Sequence, residues 1–188
     1  MEQHPQNSHW LTKLNSVRKE YNIKSNMTKQ KFQTIATKHC LNKWNIDMNR
    51  LDSKLRTFKL FKKKIEQEPY LEQINDRHII KVLGKFRMSC HKLNIETGRH
   101  KRPKTQIEDR VCHECNVLED EIHFITECKL YTKEREELYS IFSNNTTSNN
   151  YTSKDKFIHI MSTKCNNQLL KLSNFIQTAF DIRKEKFL

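Results

Sequence analysis

Glycine is almost absent from this chain. Only Gly84 and Gly98 occur in 188 residues, with three prolines, Pro5, Pro69 and Pro103. Phosphate-cradling loops and sheet-rich folds use glycine where the backbone turns left-handed, so its scarcity excludes P-loop and dinucleotide fingerprints and favours long helices. No apolar run approaches the roughly 18 residues that a membrane span needs. The opening "MEQHPQNSHW" lacks the apolar core of a signal segment. The expectation is a nuclear or cytoplasmic protein with no membrane partner, where six cysteines point to metal rather than to disulfides. Apolar residues are also in short supply, at 35% against 30% charged, so the core must be modest and its helices amphipathic.

Positive charge is what the chain has in excess. Its formal charge is +13, an imbalance that points to a polyanionic partner, RNA or DNA. The abundance of Lys and Asn would also follow from AT-rich coding in any protein. The charge is unevenly placed. Residues 42–64 hold eight Lys/Arg and two Asp, and residues 81–104 hold eight Lys/Arg against Glu96 alone. The sign then inverts, with ten Asp/Glu and four Lys/Arg in residues 105–140.

Apolar spacing predicts a mainly α fold of several amphipathic helices around a small metal-centred insert. Trp10, Leu14, Val17 and Tyr21 mark a first short helix. Phe32, Ala36, Cys40 and Trp44 mark a second, from about Thr28 to Met48. A third, from Asp76 to about His91, would bury Ile79, Leu83, Phe86 and Cys90 and turn Arg77, Lys81 and Lys85 to another face. Further helices are expected over Glu119–Cys128, over Tyr131–Phe142, near Phe157–Ile160, and through Leu169, Leu172, Ile176 and Ala179. The expected organisation is an N-terminal helical segment (1–75), a basic helix and loop with the metal-binding segment (76–142), a polar linker (143–153) and C-terminal helices (154–188).

The residues with the clearest chemistry lie in "DRVCHECNVLEDEIHFITEC", residues 109–128. Cys112, Cys115, His123 and Cys128 space as C-x2-C-x7-H-x4-C. Zinc takes four thiolate or imidazole ligands in a tetrahedron, and a C-x2-C turn aims two thiolates at one ion. A structural Zn2+ is the expected cofactor, since four protein ligands leave no position for a reactive water and no H-E-x-x-H is present. The competing reading is three free cysteines used as small apolar residues beside an exposed histidine. Cys90–His91 is a second possible ligand pair, but Cys90 falls on an apolar stripe and is expected in the core, as are Cys40 and Cys165. His113 reads as a solvent-facing bystander.

These residues sit in a wider pattern. "KFRMSCHKLNIETGRHKRP" followed by "RVCHECNVLEDEIHFITECKLYTKERE" resembles the C-terminal zinc-binding region of non-LTR (LINE-type) retrotransposon reverse transcriptases. The resemblance extends over roughly residues 28–185, most densely 80–131, and includes "WNIDMNRLDSKLRTFKLFK" upstream and "LSNFIQTAFDIRKE" near the end. It implies binding of template RNA or target DNA in support of target-primed reverse transcription. It does not imply activity in this chain, which has no Asp-Asp pair to hold polymerase metals and no endonuclease signature. The expectation is a non-enzymatic tail, truncated copy or remnant of a retroelement polyprotein.

Under that reading the phosphate contacts fall to Lys81, Lys85, Arg87, Lys92, Arg99, Lys101, Arg102 and Lys104, with Arg56, Lys59 and Lys62–Lys64 second. Arg87 and Arg99 have an alternative as internal partners of Glu96 or Asp120. His100, Phe58 and Tyr70 could stack bases, though aromatics at such positions more often pack in the core. A rival function is protein docking, in which the acidic insert and the C-terminal helix bind other domains of the same polyprotein. Glu119, Asp120 and Glu121 are expected on a solvated face turned away from polyanions.

Overall fold

The computed structural model describes residues 12, 15–24, 27–50, 53–142 and 151–187. The polar run 143–150, and Trp10 and Leu14 of the expected first helix, lie outside these. The described residues are mainly helical, and none of their helices is long and apolar enough to cross a membrane. The only extended pairing among them is an isolated antiparallel bridge between Val111 and Leu118.

The chain divides into two compact units, 1–50 and 51–188. In the first, residues 15–20 are helical and α1 runs Lys29–Asn49, started by the Thr28 side chain accepting from the Lys31 amide. Tyr21 and His39 rings pack at 4.3 Å, and His39 Nε2 lies 3.4 Å from Glu20. The expected stripe on α1 is not a buried one: Phe32 and Cys40 are exposed.

The second unit contains α2 (Phe58–Phe61), α3 (Tyr70–Gln73), α4 (Arg77–Arg87), α5 (Asn94–His100), α6 (Glu121–Thr126), a 3-10 turn (Lys129–Tyr131), α7 (Thr132–Ile141), α8 (Ser153–Met161) and α9 (Asn166–Phe187). Its core is one continuous cluster, drawing Tyr70 and Ile74 from α3 and its end, Leu83 and Phe86 from α4, Phe124 and Ile125 from α6, and Leu172, Phe175 and Ile176 from α9. The segments expected as separate domains therefore share a core. Residues 53–75 belong with the metal-binding region rather than with the N-terminal helix, and α9 packs on α4 and α7.

Helix α4 begins at Asp76, whose carboxylate accepts from the His78 amide at 2.7 Å. It ends at Arg87, short of the expected His91, because Ser89 adopts a left-handed backbone with φ 51°. That turn overturns the core placement expected of Cys90. Cys90 comes out exposed, while the His91 side chain is almost wholly buried. The strain is met by a buried hydrogen bond, Ser89 Oγ donating to Glu121 at 2.6 Å. Cys165, also expected in the core, is exposed in the turn before α9.

Two buried carboxylates tie the unit together. Glu119 accepts two bonds of 2.9 Å from Arg183 on α9, and one of 2.6 Å from the Asn94 amide at the start of α5. Glu121 accepts from Arg56 Nη2 at 2.8 Å, from Ser89, and pairs with His91 Nε2 at 2.8 Å; Arg56 also reaches Glu96. Burial alone would raise the Glu121 carboxyl, but the His91 hydrogen bond and the Arg56 charge outweigh it and hold the group below its ordinary value. The sequence expectation of a solvated acidic face is thus corrected at these two positions: both side chains point inward because distant arginines neutralise them. Arg183→Ala would leave Glu119 buried without its charge partner. The expected loss is on the order of 3 kcal/mol in urea unfolding, whereas an exposed control such as Lys184→Ala should change stability by less than about 0.5 kcal/mol.

Candidate metal centre

The four predicted ligands meet in space. Their donor atoms all lie within 4.8 Å of one another, with the Cys112 and Cys128 sulfurs 3.8 Å apart and those of Cys115 and Cys128 4.0 Å apart. A tetrahedron with Zn–S bonds near 2.3 Å has sulfur–sulfur edges of about 3.8 Å. A disulfide would need about 2.0 Å. The spacing suits one ion shared by the three sulfurs.

Local folding accounts for the arrangement. Residues 110–119 form a small hairpin closed by Cys112 N–H to Val117 O at 2.7 Å and Glu119 N–H to Arg110 O at 2.9 Å. Asn116 turns it with φ 54°, a conformation asparagine tolerates better than most residues. Cys112 and Cys115 stand in this turn. Asp120 then starts α6 by accepting from the His123 amide at 2.8 Å, which presents His123 on the first turn. The helix ends with the Glu127 and Cys128 amides both donating to His123 O, at 3.0 and 2.9 Å, and this reversal returns Cys128 to the hairpin.

Electrostatics favour a cation here. Burial pushes the Cys112 and Cys128 thiols up, so neither would ionise there without a positive partner. Backbone amides already face the sulfurs: Glu114 and Cys115 toward Cys112, Leu130 toward Cys128, and Lys129 N–H toward Cys115 at 3.4 Å. These lower the cost of thiolates. Both ring nitrogens of His123 are buried with no hydrogen-bond partner, an arrangement that is costly for imidazole unless one of them ligates a metal. Glu127 lies 3.5 Å from Nδ1, a charge contact without a hydrogen bond.

Arg135 was not apparent in the sequence as part of the site. It is buried on α7, donates from Nε to Ile125 O at 2.9 Å and from Nη2 to Cys128 O, and lies in the field of Cys128 and Cys115. A divalent ion with three thiolates carries one net negative charge, which this guanidinium would balance. Its spacing is the overlooked signal: Arg135 falls four residues after Tyr131 and three before Leu138, both buried. His113, in contrast, is exposed as expected, its ring 5.4 Å from Phe187.

The predicted phosphate-contact residues separate into two sets. Lys81, Lys85, Lys92, Lys101, Arg102 and Lys104 are exposed, and none has an ion-pair partner among the described residues. Arg87 is a correction. It is buried, donates to Glu68 at 2.6 Å and to Met161 O at 2.8 Å, and lies over the Tyr70 ring. Arg99 is half-buried with Nη1 3.5 Å from Glu96, the internal alternative noted above. In the second group Arg56 is committed to Glu96 and Glu121, and Lys62 to Glu68, which leaves Lys63 and Lys64 exposed. Phe58 and Tyr70 are core residues and cannot stack bases.

The basic loop 101–104 is closed at its base by Thr105 N–H donating to Gly98 O at 3.0 Å. Arg110 fastens it, donating to Thr105 O at 2.8 and 3.1 Å and to Ile95 O at 2.9 Å. A side chain at position 98 would come within 2.8 Å of the Arg110 side chain, so glycine is needed there for close approach. The loop and the metal-binding hairpin are therefore joined through one buried arginine.

No family model, curated protein or solved structure matches this chain. The purified protein is expected to hold one equivalent of zinc. Cys115→Ser and His123→Ala should each abolish stoichiometric binding in a chromogenic chelator assay. Structural zinc contributes on the order of 10–16 kcal/mol of apparent binding energy in small domains. The apo protein should consequently lose protection from proteolysis first across residues 110–128. Zinc-free protein that is equally protected there would show the hairpin to stand without metal.

Proposed function

We propose that this chain is a zinc-stabilised nucleic-acid-binding module of the type that follows the polymerase domain in LINE-type reverse transcriptases. The observation that carries the reading is the exposed cationic set Lys81, Lys85, Lys92, Lys101, Arg102 and Lys104, without an ion-pair partner among the described residues and partly held on a loop anchored to the metal-binding hairpin. Exposed lysines without acidic partners attract phosphate and release its counterions on binding. The metal is structural in this reading, because Cys112, Cys115, His123 and Cys128 fill a tetrahedral shell and leave no place for an activated water. Its role is to hold the hairpin, and through Arg110 the base of the basic loop. The reading assigns the chain no catalysis of its own and takes it as part or remnant of a retroelement polyprotein.

A second reading has one specific observation in its favour. Ile107, Val117 and Leu118 are exposed on the metal-binding segment, beside the exposed acids Glu108 and Asp109. Exposed apolar side chains on an acidic segment suit a protein partner, such as another domain of the same polyprotein.

Salt dependence separates the two. Binding to random-sequence RNA should weaken as log salt rises, with a slope of several units, about one per phosphate neutralised. The triple change Lys101→Gln, Arg102→Gln, Lys104→Gln should reduce that slope by roughly two to three. Affinity that is indifferent to salt, or a slope that the triple variant leaves intact, would remove the loop from the interface and favour the protein-docking reading.

A further inference from the structure

A cleft of about 380 Å³ opens between α4 and α9. Phe86, His91, Ile176 and Phe180 line it; Phe86, Ile176 and the His91 ring are buried, and Phe180 is half-buried. Lys85, Lys92 and Lys184 line it too, all exposed and without an ion-pair partner among the described residues. The cleft's acid, Asp181, accepts from Gln177 at 3.0 and 3.1 Å, and its Arg183 is committed to Glu119.

The aromatic wall is held in place. The Phe180 ring stacks on Phe124 at 4.7 Å and meets Phe86 edge-on at 6.4 Å. The His91 ring lies within 29° of parallel to Phe180, with its Nε2 anchored 2.8 Å from Glu121. Such a wall suits a flat π-system more than a flexible acyl chain. Three free ammonium groups around it ask for more than one negative charge on the same ligand. At the small end of the range for ligand pockets, the volume suits one heterocycle with its sugar. The cation row also continues past the cleft: Lys81 lies one turn before Lys85 on α4 and is likewise exposed. A ligand that follows this row is a strand rather than a free nucleotide.

We propose that the cleft takes one unpaired nucleotide of a single strand, its base against the Phe180 ring, which His91 backs from within, and its flanking phosphates at Lys85, Lys92 and Lys184. The site would thereby distinguish single-stranded from fully paired nucleic acid, since a paired base cannot reach the wall without leaving its stack. This rests on the nucleic-acid reading above and adds to it a place and a preference.

The test uses the full zinc-loaded chain, a short oligouridylate and a blunt duplex of equal length, compared by fluorescence anisotropy. The single strand should bind more tightly than the duplex. Phe180→Leu keeps the apolar volume but removes the π-face, and should weaken single-strand binding about tenfold while leaving duplex binding unchanged. Lys85→Gln with Lys184→Gln should also weaken it. Independently of any variant, photo-crosslinking of 5-iodouridine RNA to the wild-type chain should map to Phe180. Crosslinks confined to the 101–104 loop, with Phe180→Leu binding as wild type, would overturn the cleft while leaving nucleic-acid binding in place. Binding of neither oligonucleotide at low salt would overturn both.

Discussion

The fold depends on the burial of two carboxylates, Glu119 and Glu121, at the junction between the metal-binding hairpin and helix α6. Taking a carboxylate out of water costs several kcal/mol, recovered only where a well-placed cation and further hydrogen bonds meet it. Arg183 supplies that for Glu119 from 64 residues later, and Arg56 supplies it for Glu121 from 65 residues earlier. His91, Ser89 and the Asn94 amide satisfy the remaining oxygens. One short acidic stretch thus fastens both ends of the second unit to the metal-binding segment, with two of the four ligand candidates on either side of it. The hairpin is seated in the unit's core rather than tethered beside it, and Cys112 and Cys128 belong to the same buried cluster as Phe86 and Ile176.

That seating changes what a metal would do for the protein. In an isolated knuckle the ion is nearly the whole of the folding energy. Here the surrounding unit buries Phe124, Ile125 and Tyr131 next to the ligands, so packing and metal act on the same few residues. Arg135 connects them chemically. Its bonds to the Ile125 and Cys128 carbonyls close the end of α6, and its charge sits where three thiolates and a divalent ion would leave one net negative charge. A lysine could not make this paired approach to two carbonyls with one planar group.

Much of this was legible from the sequence, and the reason is range. The helices follow from apolar spacing because a helix is a local object: α1 and α7 begin and end within about two residues of expectation. The ligands were legible because all four fall within 17 residues and their order already describes a turn and a helix. What escaped were the pairs made over long separations. Arg87 looked like a member of a basic surface because the sequence does not show Glu68 and Tyr70 closing over it. Glu119 and Glu121 looked solvated for the same reason. Cys90 was misplaced by a single backbone torsion at Ser89, a residue with no glycine-like signature to announce a left-handed turn.

The two kinds of cation have been sorted by their chemistry. Arg56, Arg87, Arg110, Arg135 and Arg183 all form internal bonds to carboxylates or carbonyls, four of them with almost no exposure. The lysines at 81, 85, 92, 101 and 104 remain outside. A guanidinium is weakly hydrated, planar and able to bridge two acceptors, so its burial can be offset; an ammonium is strongly hydrated and stays at the surface. Summing charge along the sequence hides this division. The acidic run at 105–140 draws in Arg56 and Arg183 from outside its borders, which softens the negative field it would otherwise raise against phosphate. The basic run at 81–104 loses Arg87 to the interior but keeps all of its lysines at the surface. Under the proposed nucleic-acid reading, such a surface would attract a polyanion through mobile point charges and read little of its sequence. Any discrimination must then come from shape, and the aromatic cleft beside Lys85 and Lys92 is the rigid feature among them that could provide it.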